Sequence, residues 1–425
     1  MSKHIGKRIK ELRKSLKMTQ QELSEGIVTR SFISQLEGGV GNPSVDTLEK
    51  LAKRLQTDIP FLLSDSKNSD YSNEPDVDVE QLLQSCELSI EQKKLDSTRN
   101  IISQIESTLK KNNYKNQAHL GRILRMKAFL KMIDTELLDA EKYINMSIKQ
   151  LNSNAQELAK SLNLLGIISF KLGHLIKSQD SFLKALYFTK NYPTNIKLSI
   201  ETLSNIGILH AHINEYNSSI YYLLQALELS ISTDTYFRLT EIYMTLGVCY
   251  RNKGEYKESE SSYLKALSFL ELIEDTFVKA GIFLNLGILY KHMKDYSRSH
   301  ENIVKSETIY RKENRNPHLI NCLIEKLDVD ILRGELSKIN EDIFELEKME
   351  EDISLYQYCK IEIFKLHLAF FKKLRINKSS FDEIENKIEH ISEQDQRLEL
   401  YKRLVGIYSL LENYPAINNI LMKII

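Results

Sequence analysis

The sequence predicts an all-α chain in which a small head of short helices precedes a long right-handed superhelix of stacked helical pairs. Three observations carry that reading. Gly166, Gly207, Gly247 and Gly287 recur every 40 or 41 residues, each inside an apolar-periodic run: LNLLG, LSNIG, YMTLG and FLNLG. Self-similarity at that period marks a chain built by stacking one supersecondary unit. The six prolines fall in the head, in the polar stretch 64–79, between repeats or near the end, which is where a helical chain tolerates them. No sustained period-two alternation calls for a sheet.

Composition narrows the class. Apolar residues make up 42% and charged residues 27% of the 425, too apolar for global disorder and ordinary for a soluble protein. Net charge is zero, but it is unevenly spread: residues 1–30 carry 8 Lys+Arg against 3 Asp+Glu. A basic head on a mildly acidic body directs only the head towards an anionic polymer. Cys86, Cys249, Cys322 and Cys359 are widely spaced, as expected of core thiols in a reducing compartment. No signal-like segment opens the chain and no apolar run approaches the ~20 residues that span a bilayer. The expected location is cytoplasmic, with no membrane partner.

The elements follow in order. Ile5, Ile9, Leu12 and Leu16 are spaced for a first helix. Thr19 can cap a second, Gly26 turns the chain, and Thr29 can cap a third that runs to about Glu37. GGVGNP interrupts the pattern before Ser44 opens a fourth helix, SVDTLEKLAKRL. The head is read as residues 1–65, the polar segment 66–79 as a linker, and 80–425 as about eight or nine helical pairs. Each clear repeat places a serine twelve residues after its glycine (Ser178, Ser219, Ser259, Ser299) and a bulky residue four later (Phe182, Leu223, Tyr263, Ile303). Alternating large and small residues suits two antiparallel helices that pack closely. Weaker copies lie around Ala128 and Leu327.

The repeats resemble the tetratricopeptide repeat. Their period exceeds the usual ~34 residues of that repeat, which implies extended second helices. Such arrays line a concave face with the first helix of each pair. This gives a candidate peptide lining of Arg125, Asn163, Asn205, Thr245, Arg251, Asn252, Asn285 and Lys291. Asparagine amides both donate and accept, so they can pair with an extended peptide backbone, and Arg125, Arg251 or Lys291 can take a terminal carboxylate. The plainer reading is that Asn205 and Asn285 bond to neighbouring helices.

Residues 4–63, with MTQQELSE, TRSFISQLEGG and NPSVDTLEKLAKRL, resemble the phage-repressor type of helix-turn-helix. The resemblance implies that the third helix enters the major groove of double-stranded DNA. Arg30, Ser31, Ser34 and Gln35, on the outward side of that helix, would reach base edges. Thr19, Gln20, Thr29 and Asn42 would help to grip the backbone and seat the helix. It also implies a structural ion pair between Arg13 and Glu37, and a homodimer on a two-fold site.

A repressor-like head followed by a long tetratricopeptide-like body resembles the RRNPP group of peptide-pheromone-responsive transcriptional regulators, most of all the NprR type and less the shorter PlcR type. That resemblance implies a quorum-sensing regulator whose repeats bind a short signalling peptide and alter a homodimer or higher oligomer. Alternatives are a regulator whose repeats hold a protein partner such as a response regulator, and a phage lysis–lysogeny regulator of similar design. No HExxH, phosphate loop or GxSxG appears, so catalytic residues, metal and cofactor are all expected to be none, and the chain is not expected to be an enzyme.

Overall fold

The computed structural model describes residues 2–16, 18–39, 43, 45–55, 57, 62, 75–111, 116–151, 154–191, 195–270, 275–336 and 339–424. Among these it contains 22 α-helices and no strand. Contacts divide the chain into two units, residues 1–85 with 104–114, and residues 86–103 with 115–425.

The head contains α1 (Ser2–Ser15), α2 (Gln20–Ser24), α3 (Arg30–Glu37) and α4 (Val45–Arg54). Thr19 and Thr29 cap α2 and α3 through their side-chain oxygens, and Thr19 with Glu22 completes a reciprocal capping box. These caps satisfy amides that such short helices cannot satisfy internally. Gly26 takes a φ of 69° in the turn. Ile5, Ile9, Leu23, Ile33, Leu36, Leu51 and Leu55 form the core of the head. Ser44, expected as the cap of α4, lies outside the described residues.

Helices α5 (Pro75–Glu91) and α6 (Leu95–Lys111) come next, and eight packed pairs follow them, beginning with α7 (Gln117–Ile133) with α8 (Leu137–Gln150) and α9 (Ala155–Lys171) with α10 (Leu175–Asn191). Next come α11 (Ile196–His212) with α12 (Tyr216–Ser232), α13 (Leu239–Asn252) with α14 (Tyr256–Leu270), and α15 (Thr276–His292) with α16 (Tyr296–Lys312). The last are α17 (Asn316–Arg333) with α18 (Ile339–Glu347), α19 (Leu355–Phe371) with α20 (Lys378–Glu389), and α21 (Gln394–Leu410) with α22 (Tyr414–Ile424). Helix α5 begins at Pro75, inside the stretch expected as linker, because proline at the first helical position costs no backbone hydrogen bond. The long period is shared by both helices of a pair rather than by the second alone: α9, α10, α11, α12, α15 and α16 each have 17 residues.

The glycine ladder is where the pairs close. An added Cβ at Gly166 would lie 2.4 Å from Phe182, at Gly207 2.6 Å from Leu223, and at Gly247 and Gly287 2.5 Å from Tyr263 and Ile303. The bulky residue of each second helix therefore occupies the space left by the glycine of the first. The recurrent serine is chosen for its hydroxyl. Ser178, Ser219, Ser259 and Ser299 donate to the carbonyl oxygens of Gly166, Gly207, Gly247 and Gly287 at 2.7–2.8 Å. Each bond is buried and spans the two helices of a pair. Between pairs, one apolar cluster runs from Phe182 through Leu203, Leu223, Tyr243 and Tyr263 to Tyr290.

First helices of successive pairs touch each other along the array, from α7 to α21, while among the described residues second helices do not come into comparable contact. The array thus bends towards its first helices, and their free faces form its inner side.

Candidate functional site

The geometry of the head sorts α3 into two faces. Ile33 and Leu36 are fully buried, whereas Arg30, Ser31, Ser34 and Gln35 are all exposed on the outward side. The helix is held in place from beneath. Arg13 on α1 donates from Nε to Glu37 Oε1 at 2.6 Å and from an η nitrogen to Glu37 Oε2 at 2.9 Å, and its other η nitrogen reaches the Met18 carbonyl at 2.7 Å. This is the expected structural pair, and both side chains are buried. Burial pushes the Glu37 carboxyl up, but hydrogen bonds from Arg13 and Gln20 outweigh it and hold its pKa below the ordinary value.

Gln20, expected at a phosphate, donates its amide to Glu37 Oε2 at 2.9 Å, so it links the start of α2 to the end of α3. The hydroxyl of Thr19 accepts from the Glu22 amide at 3.2 Å, and that of Thr29 from the Phe32 amide at 3.2 Å. Both threonines are exposed caps. Asn42 lies outside the described residues. Sequence reasoning missed Arg54, whose η nitrogen is directed at the carbonyls of Leu23 and Glu25 at the end of α2. Gly6 was missed as well: a Cβ there would sit 1.7 Å from the Leu36 carbonyl oxygen, so α1 and α3 approach backbone to backbone.

In the array, the expected peptide-lining residues fall into separate clusters. Arg125 and Asn163 line one cavity of about 560 Å³, together with Lys160, Asn195, Glu201 and the apolar Ile167. Arg125 is not a free cation there. It lies 2.6 Å from Glu157 and 3.0 Å from Glu87. Burial raises the Glu157 carboxyl, but Arg125 and Lys160 more than compensate and hold it at about 2. Next to them, Asn205 donates to Asn163 Oδ1 at 3.1 Å and accepts from Arg238 at 2.8 Å. Arg238 also grips Glu241 through two nitrogens, at 2.5 and 2.8 Å. It does so from a left-handed backbone position, φ 59°, which is strained for a non-glycine residue. Glu201 lies beside this chain of contacts, and burial raises its pKa despite Arg238 and Asn163. Neither Glu201 nor Arg238 stood out in the sequence, since neither sits at a fixed repeat offset.

Further along, Arg251 donates to Asn285 Oδ1 at 3.2 Å and to Asn252 at 3.4 Å, and the Asn285 amide reaches the Gly281 carbonyl at 3.0 Å. Thr245 donates to the Glu241 carbonyl at 2.9 Å. Lys291 belongs to a third group. It bridges Glu325 at 2.5 Å and Asp328 at 2.7 Å, Lys360 reaches Glu325 at 2.9 Å, and Arg403 clamps Asp328 with two bonds of 2.9 Å. Glu399, 3.0 Å from Arg403, closes this network across α15, α17, α19 and α21. Three cations meet three carboxylates, so the groove is neutral at that end. Asn205, through Asn163, and Asn285, through Arg251, bond to neighbouring helices as the plainer reading has it, while the Asn285 amide also turns back on its own helix.

These two parts define a class: a helix-turn-helix head joined to a tetratricopeptide-type helical array. The helix-turn-helix family matches residues 9–62, and the tetratricopeptide-repeat family matches residues 240–269. No curated protein sequence matches the chain. Among solved structures it is similar to a Rap protein complexed with Competence and Sporulation Factor, with 16% identity, 82% of this chain and 96% of that one covered, and a TM-score of 0.64. It is similar also to the apo form of the quorum sensor NprR from B. thuringiensis, with 13% identity, 83% and 99% covered, and a TM-score of 0.64. A third, aspartyl phosphate phosphatase F from Bacillus subtilis, shares 12% identity over 85% and 95%, with a TM-score of 0.56. The resemblance to RRNPP-type regulators of the NprR kind thus holds in fold. Among the described residues, no helix is long and apolar enough to cross a membrane.

Proposed function

We propose that the chain is a sequence-specific DNA-binding transcriptional regulator of quorum-sensing type, whose array takes a short signalling peptide on its inner side. It acts in the cytoplasm as a homodimer or higher oligomer, with residues 1–65 as the reading head and 80–425 as the sensor. The observation that carries this is the outward face of α3, where Arg30, Ser31, Ser34 and Gln35 stand exposed on a helix anchored by Arg13 and Glu37. Arg30 and Gln35 can pair bidentately with guanine and adenine. The likeness in fold to the quorum sensor NprR and to a Rap protein held with a signalling factor supports the peptide half of the reading.

Mechanistically, the inner polar side chains are partnered with one another in the free chain. A peptide backbone entering beside Asn163 and Asn205 exchanges the Asn205–Asn163 and Arg238–Asn205 bonds for its own. Helices α9, α11 and α13 are thereby re-tied through the ligand. Such an exchange supplies a coupling free energy of about 1–3 kcal/mol between array and DNA. The chain works by binding, with no catalytic role assigned.

Selection of duplexes from a random pool by the full chain, followed by fluorescence anisotropy, tests the DNA half. Calorimetry with a short-peptide library tests the other half. Failure to enrich any sequence would overturn the regulator reading. An array that ignores every peptide yet binds a response-regulator protein tightly would replace the peptide with a protein input.

A further inference from the structure

Helix α17 carries charge on two sides. Glu325 and Asp328, three apart, join the inner network, whereas Lys326 and Asp330, four apart, share another side of the helix. The second pair is unequally served. Lys326 lies 3.0 Å from Glu307 and 3.0 Å from Asp342. Asp330 is only 4% exposed, yet its Oδ1 has no hydrogen-bond partner among the described residues. Among the described residues the nearest charged group is an Arg333 nitrogen at 3.9 Å; His300 Nε2 lies at 3.6 Å, but burial lowers the pKa of its ring and favours the neutral form. Arg333 is drawn instead to Glu335 at 2.7 Å.

Asp330 forms part of the wall of a cavity of about 920 Å³ beside α16 and the end of α17, lined also by His300, Val304, Thr308 and Arg311. The other acids around it are already engaged. Glu301 lies 2.6 Å from Lys305, Glu335 holds Arg333, and Glu307 accepts from both Arg311 and Lys326. An orphaned buried oxygen of this kind carries a desolvation cost that a donor on a ligand removes.

We propose that this cavity binds an alkyl cation, a guanidinium or ammonium head on an aliphatic stem, with the head donating to Asp330 Oδ1 and the stem lying along Val304 and the Thr308 methyl. A cation is favoured over a neutral donor because a charge-assisted bond to a carboxylate is the stronger one. An anion is disfavoured because Lys305, Lys326, Arg311 and Arg333 are committed to carboxylates. A metal ion is disfavoured because no group of three candidate ligands is assembled among the described residues. Burial raises the Asp330 carboxyl to about 6, so near neutral pH it is ionised and able to accept. The chemistry is shared by an arginine or lysine side chain of a polypeptide and by a free polyamine. The site is independent of the DNA and peptide readings, because it uses neither α3 nor the inner polar residues.

The test is calorimetry on the full chain with N-acetyl-arginine methylamide, spermidine and the uncharged N-acetyl-norleucine methylamide. The expected result is one-to-one binding of a cation, weakened about tenfold or more both in the norleucine analogue and in Asp330→Asn. Tighter binding of the arginine compound assigns a polypeptide source, and tighter binding of spermidine a free polyamine. Thr308→Lys, at an exposed position, brings a competing cation to the mouth without altering Asp330 and should abolish binding while the chain still melts normally. Absence of saturable binding by either cation up to about 10 mM, or equal binding to wild type and Asp330→Asn, overturns the proposal.

Discussion

Replacing Glu37 by glutamine tests how the head is held together. In the wild type the Glu37 carboxylate receives two bonds from Arg13 and one from Gln20, at 2.6–2.9 Å, and both Arg13 and Glu37 are 9% exposed. Glutamine keeps the shape but leaves a buried guanidinium without its counter-charge. Removing one partner of a buried pair costs about 3–5 kcal/mol. A head of this size has roughly 3–9 kcal/mol to lose. The substitution should therefore leave the head partly or wholly unfolded while the array, which makes none of these contacts, stays folded. Differential scanning calorimetry should show the head transition lowered or missing and the array transition unchanged, with operator binding lost in anisotropy. The pH dependence has a definite sign. The folded pKa of Glu37 is depressed, so its contribution is present at neutral pH and fades as pH falls below the ordinary carboxylate value. A head transition lowered by less than about 1 kcal/mol, with operator affinity retained, would refute a buried, structural pair.

Three other outcomes are expected. Arg30→Ala should weaken a selected operator by about 1–3 kcal/mol, roughly 5- to 150-fold, and relax specificity at one base pair rather than uniformly, as measured by anisotropy on single-base variants. Gly247→Ala drives a methyl group to 2.5 Å from the buried Tyr263 ring and should destabilise the array by about 1–3 kcal/mol in urea melts. Gly406→Ala is its control: among the described residues nothing lies within 4 Å of the added methyl, and helix propensity should add about 0.5–1 kcal/mol. Asp330 has a folded pKa of about 6 against an ordinary 3.8, so the chain gains stability as pH falls through that range. Asp330→Asn should be more stable than wild type above about pH 7, by at most about 3 kcal/mol, and equal to it near pH 4, by thermal melts.

What was legible in the sequence was what repeats. Gly166, Gly207, Gly247 and Gly287 come with Phe182, Leu223, Tyr263 and Ile303 at a constant offset because each glycine exists to admit that side chain. The serines at offset twelve were read as small residues, whereas the structure gives their hydroxyls a buried acceptor, which period alone does not reveal. In the head, alternation of Ile33 and Leu36 with Arg30, Ser31, Ser34 and Gln35 separates the same two faces of α3 that burial does, because an eight-residue helix with Ile33, Leu36 and Glu37 buried has one way to sit on a core. Groove electrostatics were less legible. Arg125 and Lys291 read as available cations, but Glu87, Glu157, Glu325 and Asp328 meet them from other helices, 32 to 38 residues away in sequence. Arg238 depends on an unusual backbone angle in a connection between pairs, which has no periodic trace. Gly6 carries no mark in the sequence, since its need is set by the Leu36 carbonyl of α3.

The central claim, that peptide on the inner side of the array alters what the head does on DNA, is tested most directly by one titration. The full chain is titrated onto its selected operator with and without a saturating peptide chosen by binding to the chain. The account predicts a change in operator Kd of about fivefold or more in the wild type. In a variant combining Asn163→Leu with Asn205→Leu, operator binding without peptide should persist and the change should vanish. A peptide that binds tightly at Asn163 and Asn205 yet leaves operator affinity unchanged would contradict it.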